Sequence, residues 1–334
     1  ILKKKLINEK NNEDLNHLNK IKLITYSLKI FGIITLGLPY YYIIPWLSLS
    51  LGYFSNWTIL AHNILHGSYN YLNITKLKRG KYAFGNKRFI DWLDWILPEA
   101  WNIEHNKFHH YKLGEIYDPD LVEHNVKFLR ESNINIFFKY IQIIIISMTW
   151  KWVYYAPNTF KVYCLEKQKF DNCNLKKSFL LYNINWFIKL IYHVMLPYIV
   201  YNFIFLPGIW YYISYLASNY NLFWNAIINI IFMEILTNIH SFIVIVPNHS
   251  GEDVYRFDKP VDIRSGEFYL RQIIGSVNYT AGNDLIDFLH GWLNYQIEHH
   301  LFPEASLLAQ RKAMPLVKKL CKKHKIPYIQ ENVF

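Results

Sequence analysis

Apolar positions come in blocks along this 334-residue chain. Residues 30 to 75, 46 consecutive positions, hold no Asp, Glu, Lys or Arg, and neither do residues 190 to 233, another 44. A helix crossing a bilayer needs about 20 apolar residues, so each block has the length of two spans and a turn. Soluble cores rarely run so long without charge. Spans are expected near residues 23–38 and 43–61 in a first hairpin, and near 184–205 and 222–246 in a second. "GLP" at 37–39 or Pro45 would turn the first; Pro197, Pro207 and Gly208 would turn the second. Two other apolar stretches, 89–97 and 140–150, read as too short to span and as helices lying in the membrane interface. The expected fold class is all-α integral membrane, with four transmembrane helices as two hairpins.

The polar remainder completes the layout. Residues 1–22 read as a polar, poorly ordered arm, and residues 23–334 as a single membrane domain whose cap comprises 62–180 and 247–334. Basic residues sit in the arm (Lys3, Lys4, Lys5, Lys20, Lys22), after the first block (Lys76 to Arg88) and in the tail (Arg311 to Lys325), and none sits at the expected hairpin tips. Positive charge stays cytosolic, so both hairpins should open to the cytosol and gather the polar segments there. The net charge of +11 could also suit nucleic acid, but no zinc-finger spacing or RNA-binding motif accompanies it, so no nucleic-acid partner is expected. Cys164, Cys173 and Cys321 form no CxxC and no disulfide framework, and are read as inert thiols in a reducing compartment.

Candidate chemistry lies in the histidines. Seven of the 14 fall in three short clusters: His62 and His66 in "HNILH", His105, His109 and His110 in "HNKFHH", and His299 and His300 in "QIEHH". Any one cluster is a common accident. Together, the expected topology brings all three to one membrane face. Residues four apart share a helix face, whereas neighbours point about 100° apart. An adjacent pair therefore suits two ions better than one, and seven imidazoles exceed the needs of one four-coordinate zinc. Two metal ions are the economical reading, although imidazole suits iron, zinc, copper and nickel alike. His249 is a further candidate ligand. His240 and Gln296 are secondary candidates, with a hydrogen-bonded core histidine as the alternative for His240. His17, His124, His193 and His324 stand outside any cluster. Glu234 is a candidate functional group at membrane depth or an interfacial residue. Glu104, Asp118, Asp120 and Glu298 are candidates to orient the rings.

Three histidine clusters following membrane hairpins and ending in "QIEHHLFP" resemble the membrane fatty acid desaturases, and the Gln of the third cluster resembles the front-end and related acyl-lipid members. The likeness covers about residues 55 to 305. It implies four transmembrane helices, a cytosolic cap and two non-haem iron ions held mainly by histidine. His62 and His66 match the first box, His105, His109 and His110 the second, Gln296, His299 and His300 the third, and His249 an isolated extra histidine. It implies O2-dependent removal of two hydrogens from a fatty acyl lipid or acyl-CoA. The active site would face the cytosol, in the endoplasmic reticulum of a eukaryote or the inner membrane of a bacterium. The usual second box is HxxHH, and "HNKFHH" has one residue more, a spacing also seen in membrane hydroxylases. No HPGG haem motif or GxGxxG is present, so electrons are expected from a separate donor of cytochrome b5 or ferredoxin type. Trp101, Tyr111, Trp292 and Tyr295 are candidates to line an apolar tunnel, or else interfacial and core residues. The alternatives are a membrane hydroxylase or ketolase, which would oxygenate its product, and a metal transporter, which would place its ligands near the midplane.

Overall fold

The computed structural model describes residues 12–121, 127–167, 184–249 and 254–332. Lys3, Lys4, Lys5, His124 and Cys173 lie outside the described residues. Among the described residues, regular structure is helical apart from one short parallel strand pair.

Helix α1 (Asn12–Thr35) and helix α2 form an antiparallel pair, with the Thr25 and Ser55 hydroxyls 3.0 Å apart between them. Helix α2 starts at Ile44, passes through a π segment at Asn56–Ala61 and ends at Leu65. Residues 12–22, expected as a loose arm, are instead the first turns of α1. Asp14, Leu18, Ile21 and Thr25 recur at helical spacing on one buried face. Both Asp14 oxygens are engaged, Oδ2 by the Tyr71 hydroxyl and Oδ1 by the Ser306 hydroxyl, each at 2.7 Å. The arm is thus clamped to the far end of the chain.

Residues 89–97 are not the interfacial helix expected. Helix stops at Asp91, Trp92 turns extended, and Trp92, Trp95 and Ile96 are buried. Helix α3 follows as Pro98–Ile103, a π segment Glu104–His109 and the turn His110–Lys112. Helix α4 (Ile136–Lys167) contains the stretch 140–150 and is 32 residues long, so shortness no longer argues against spanning. It passes through Lys151 because that lysine is neutralised: its ammonium lies 2.7 Å from the buried Asp94 carboxylate and 4.9 Å from the Trp57 ring centre.

Helices α5 (Ile184–Leu216) and α6 (Asn221–His249) form the second hairpin. The turn expected at Pro197, Pro207 and Gly208 is absent. The helix runs through all three and reverses only between Leu216 and Asn221, where Ser218 has φ +50°. An α-helix rejects an internal proline ring. Here each proline follows a π segment, Leu190–Met195 or Val200–Phe205, whose wider turn accommodates it. Glu234, on α6, is buried and accepts from Trp95 Nε1 (2.9 Å) and the Tyr198 hydroxyl (2.5 Å), so it ties helices together and touches no histidine of the clusters.

Among the described residues, α4, α5 and α6 are the helices long and apolar enough to cross a membrane by length and composition. Of the four expected spans, the first two are not among them. Helix α1 carries Lys20, Lys22 and Lys29, and α2 dilutes its leucines with buried Ser48, Ser50, Ser55 and Asn56. The C-terminal part contributes α7 (Gly266–Ile274), α8 (Asp284–Leu289), α9 (Gln296–Leu301) and α10 (Leu307–His324). Strands β1 (Asn278–Tyr279) and β2 (Gln330–Glu331) pair beside them.

Removing one partner of a buried ion pair strands the other charge. Lys151→Met should therefore cost about 3–5 kcal/mol, read as a lower melting temperature of the detergent-solubilised protein. The double variant Lys151→Met/Asp94→Leu should recover most of that loss.

Candidate metal centre

Three backbone devices deliver the rings. The first is the end of α2, where His62 and His66 share a face and their Nε2 atoms lie 3.2 Å apart. The second is the π segment of α3. Its i to i+5 turn is wider than an α turn, so both His109 and His110 stay close to His105: the ring centres are 5.2 and 4.8 Å away. That geometry absorbs the extra residue in "HNKFHH". The third is the sharp turn at Gly291 and Trp292 that leads into α9. Gly291 has φ +62°, and a Cβ there would lie 2.5 Å from Thr58 Oγ1 on α2. Only a glycine lets the third cluster approach the first so closely. Helix α9 is then held from behind. Asn278 Oδ1 accepts the Ile297 amide (2.8 Å), and the Glu298 carboxylate accepts from Asn278 Nδ2 (2.7 Å) and Tyr328 (3.0 Å).

The result is two groups of buried nitrogens. His62, His66, His105 and His299 place ligand atoms within 4.8 Å of one another, and so do His109, His249 and His300. His110 stands between them, its Nε2 3.2 Å from that of His105 and its ring stacked 4.4 Å from His300. Two nitrogens each about 2.1 Å from one ion, at cis or tetrahedral angles, sit about 3.0–3.4 Å apart. The Nε2 pairs His62–His105 at 3.0 Å, His62–His66 at 3.2 Å and His105–His110 at 3.2 Å match that spacing. His299 Nε2 is buried with no hydrogen-bond partner, as an acceptor awaiting a cation would be. The residues therefore fit metal ions, and histidine groups able to hold them are in place.

Electrostatics agree. Burial, reinforced by neighbouring imidazoles, pushes His66, His105, His110, His299 and His300 well below the usual histidine range. They are neutral at physiological pH, the form that ligates metal. His109 goes the other way. Burial alone would lower it, but the Asp118 carboxylate at 2.9 Å, with help from Asp120, raises it. Its Nδ1–H points at Asp118, which leaves Nε2 as the more basic donor atom. The Nδ1 atoms of His300 and His249 face Gln272 Oε1 (3.2 Å) and the Gly275 carbonyl (3.4 Å) in the same manner.

Of the four carboxylates expected to orient rings, Asp118 is hydrogen-bonded to one and Asp120 lies 4.0 Å from the same ring. Glu298 secures α9, and its burial pushes it up to about 7. Glu104 is buried beside Asp120, and no hydrogen bond joins it to an imidazole. Gln272, Gly275 and Asn278 belong to no motif; the one sequence cue is uncharged polarity beside an apolar helix. Gln296 reaches His249 Nε2 (2.7 Å) and His300 Nε2 (3.1 Å) through its amide. Turned over, the amide would offer its oxygen to the same point. His240 stays apart, bonded to the Leu289 carbonyl at 2.7 Å and stacked 3.8 Å from Phe54. Its neighbourhood is that of a hydrogen-bonded histidine against the core.

Among the described residues, three cavities are lined by these histidines. A small one, about 40 Å³, is lined by Trp57, Trp101, Tyr155 and Leu293 with His62, His105, His109 and His249. It shares Asp120, Tyr155, Ile245 and His249 with an apolar groove of about 250 Å³ between α4 and α6. The third cavity, about 180 Å³, touches His66, His110 and His300 and is lined by Arg79, Tyr111, Tyr269 and Glu304. Of the aromatic residues expected to line a tunnel, Trp101 lines the small chamber and Tyr111 the polar cavity. Trp292 lies under Arg311, and Tyr295 donates to Asp287 at 2.8 Å.

A family model described as fatty acid desaturase matches residues 41–332. The chain belongs to the fatty acid desaturase family. Over 92 residues it is 38 % identical to the Delta(6)-fatty-acid desaturase fat-3 of Caenorhabditis elegans, covering 27 % of this chain and 20 % of that protein. It is 38 % identical over 81 residues to the acyl-lipid (9-3)-desaturase of Borago officinalis (24 % of this chain, 17 % of that one). Against the NADPH-dependent stearoyl-CoA 9-desaturase of Mycobacterium tuberculosis it is 34 % identical over 93 residues (27 % and 22 %). The matched stretches thus span about a fifth of each of these desaturases. No solved structure matches.

Asp118→Asn should weaken metal affinity about 10–100-fold, measured by chelator competition. His240→Ala should leave metal content unchanged, since that ring reaches neither group.

Proposed function

We propose that this chain is a membrane fatty acyl desaturase with a histidine-held di-iron centre. The observation that carries the reading is the convergence of eight imidazoles, from four separate segments, beside an apolar groove. In the reaction, a –CH2–CH2– unit loses two hydrogens to become –CH=CH–. One O2 takes those two hydrogens, two electrons and two protons to give two waters. An unactivated methylene has no acidic proton, so side-chain acids and bases cannot attack it. Bound iron would supply the redox chemistry with O2. The ligand set is His62, His66, His105, His109, His110, His249, His299 and His300, with Gln296 next to the second group. The chain's own part is to hold neutral nitrogen donors rigidly, to keep water out through Trp57, Trp101 and Leu293, and to lay the acyl chain along the apolar groove.

The topology belongs to the same reading: α1 and α2 as the first hairpin, α5 and α6 as the second, four spans in all, with α4 lying against the bilayer and the rest of the described cap, within residues 62–180 and 247–334, in the cytosol. The clamp between α1 and α10 supports it, because it gathers the charged N-terminal turns of α1, the basic α10 and the histidine-bearing end of α2 on one side. The organelle would be the endoplasmic reticulum in a eukaryote and the inner membrane in a bacterium. Electrons would come from a separate cytochrome b5 or ferredoxin type protein. The polar cavity at His66, His110 and His300, which shares no lining residue with the groove, supports docking there. A metal transporter fits less well, since His62, His66 and His249 stand at helix ends and not midway along them.

The test is lipid analysis after expression in a host that lacks the product. A new double bond in acyl chains, lost in His299→Ala, is the expected outcome. A hydroxylated chain would move the assignment to the hydroxylase of the same scaffold, and an unaltered lipid profile with metal and reductase present would refute both.

A further inference from the structure

Whether the acyl chain arrives attached to a membrane lipid or to soluble coenzyme A is open in the desaturase reading, and the groove bears on it. Ile143, Ile146, Trp150 and Val153 of α4 face Phe242 and Ile245 of α6 across it. Its inner end meets the small chamber at Tyr155, Asp120 and His249. Its outer wall, α4, is the least buried of the three long apolar helices among the described residues: only 11 % of its apolar stretch is buried. Phe137, Phe138, Ile144 and Ile145 on it are each more than half exposed.

The lining chemistry points the same way. Among the described residues lining the groove there is no lysine or arginine, and its one carboxyl, Asp120, would repel phosphate. A CoA thioester brings several phosphate charges that need cationic partners and water. At the rim, exposed Lys127 and Arg130 flank Phe128 and Leu129, and Lys127 is already paired with Glu131 at 3.5 Å. That rim suits the single phosphate of a glycerophospholipid at the interface. The polar cavity, where a water-borne substrate would approach, shares no lining residue with the groove.

We infer that the groove between α4 and α6 takes the acyl chain of a membrane glycerophospholipid sideways from the bilayer, so that the substrate is an acyl-lipid and not an acyl-CoA. This rests on the desaturase reading above.

The test uses the full chain loaded with iron and supplied with a reduced electron carrier. In one arm it sits in phosphatidylcholine vesicles carrying palmitoyl, stearoyl, oleoyl and linoleoyl chains. In the other, the same chains are given as CoA thioesters to protein in diphytanyl ether vesicles, whose lipids offer no substrate. Double bonds should form in phosphatidylcholine at least about tenfold faster than in the thioesters. Val153 is 61 % exposed on the groove wall, so Val153→Trp should fold normally and block the groove. It should cut the lipid rate about tenfold or more with iron content unchanged. Conversion of the thioesters in preference to the vesicle lipid overturns this inference and leaves the desaturase reading standing, as does a Val153→Trp variant of normal rate. No double bond in either arm overturns both. An oxygenated phospholipid chain overturns the desaturase reading and supports the lateral route.

Discussion

The centre of this molecule is an arrangement that protein alone would not favour: several neutral imidazoles, buried, with nitrogen atoms facing one another at about 3 Å and too few protons to share. Lone pairs so placed repel, and burial removes the water that would otherwise separate them. Two things offset that. One would be a metal cation held between the nitrogens. The other is a scaffold that fixes each ring from its far side, as Asp118 fixes His109 and as Gln272 and the Gly275 carbonyl face His300 and His249. Nearly every other feature of the cap serves that scaffold, from the glycine turn before α9 to the strand pair behind it.

Departures from ideal helix recur where this architecture needs them. π segments precede His62, contain His105 and His109, and come just ahead of Pro197 and Pro207. At the histidines a wider turn lets rings four and five residues apart share a side. At the prolines it opens room for a ring that would otherwise strike the preceding turn. One backbone device thus sets histidine register in the cap and continuity in the hairpin.

The histidine clusters could be read directly from the sequence, because ligand spacing is local and shows as short motifs. The segments that stabilise them could not. Gln272 and Asn278 act across 28 and 20 residues of sequence and carry no signature. Charge was the misleading cue elsewhere. Lys151 looks like the end of an apolar stretch until Asp94 is found beside it, and the charged turns of α1 look like a loose arm until Tyr71 and Ser306 close on Asp14. Prolines misled in the same way, since their effect on a helix depends on the turn before them. For Lys151 and Asp14 the cause is the same: a partner far along the chain changed what the residue could do.

The strand pair β1 and β2 ties a remote segment to the third histidine cluster. Tyr328 and the final strand brace Asn278 and Glu298, which together hold the helix bearing His299 and His300. The brace and the histidines it supports are different residues, so damage confined to residues 328–331 would spare every imidazole and still leave the third cluster without support.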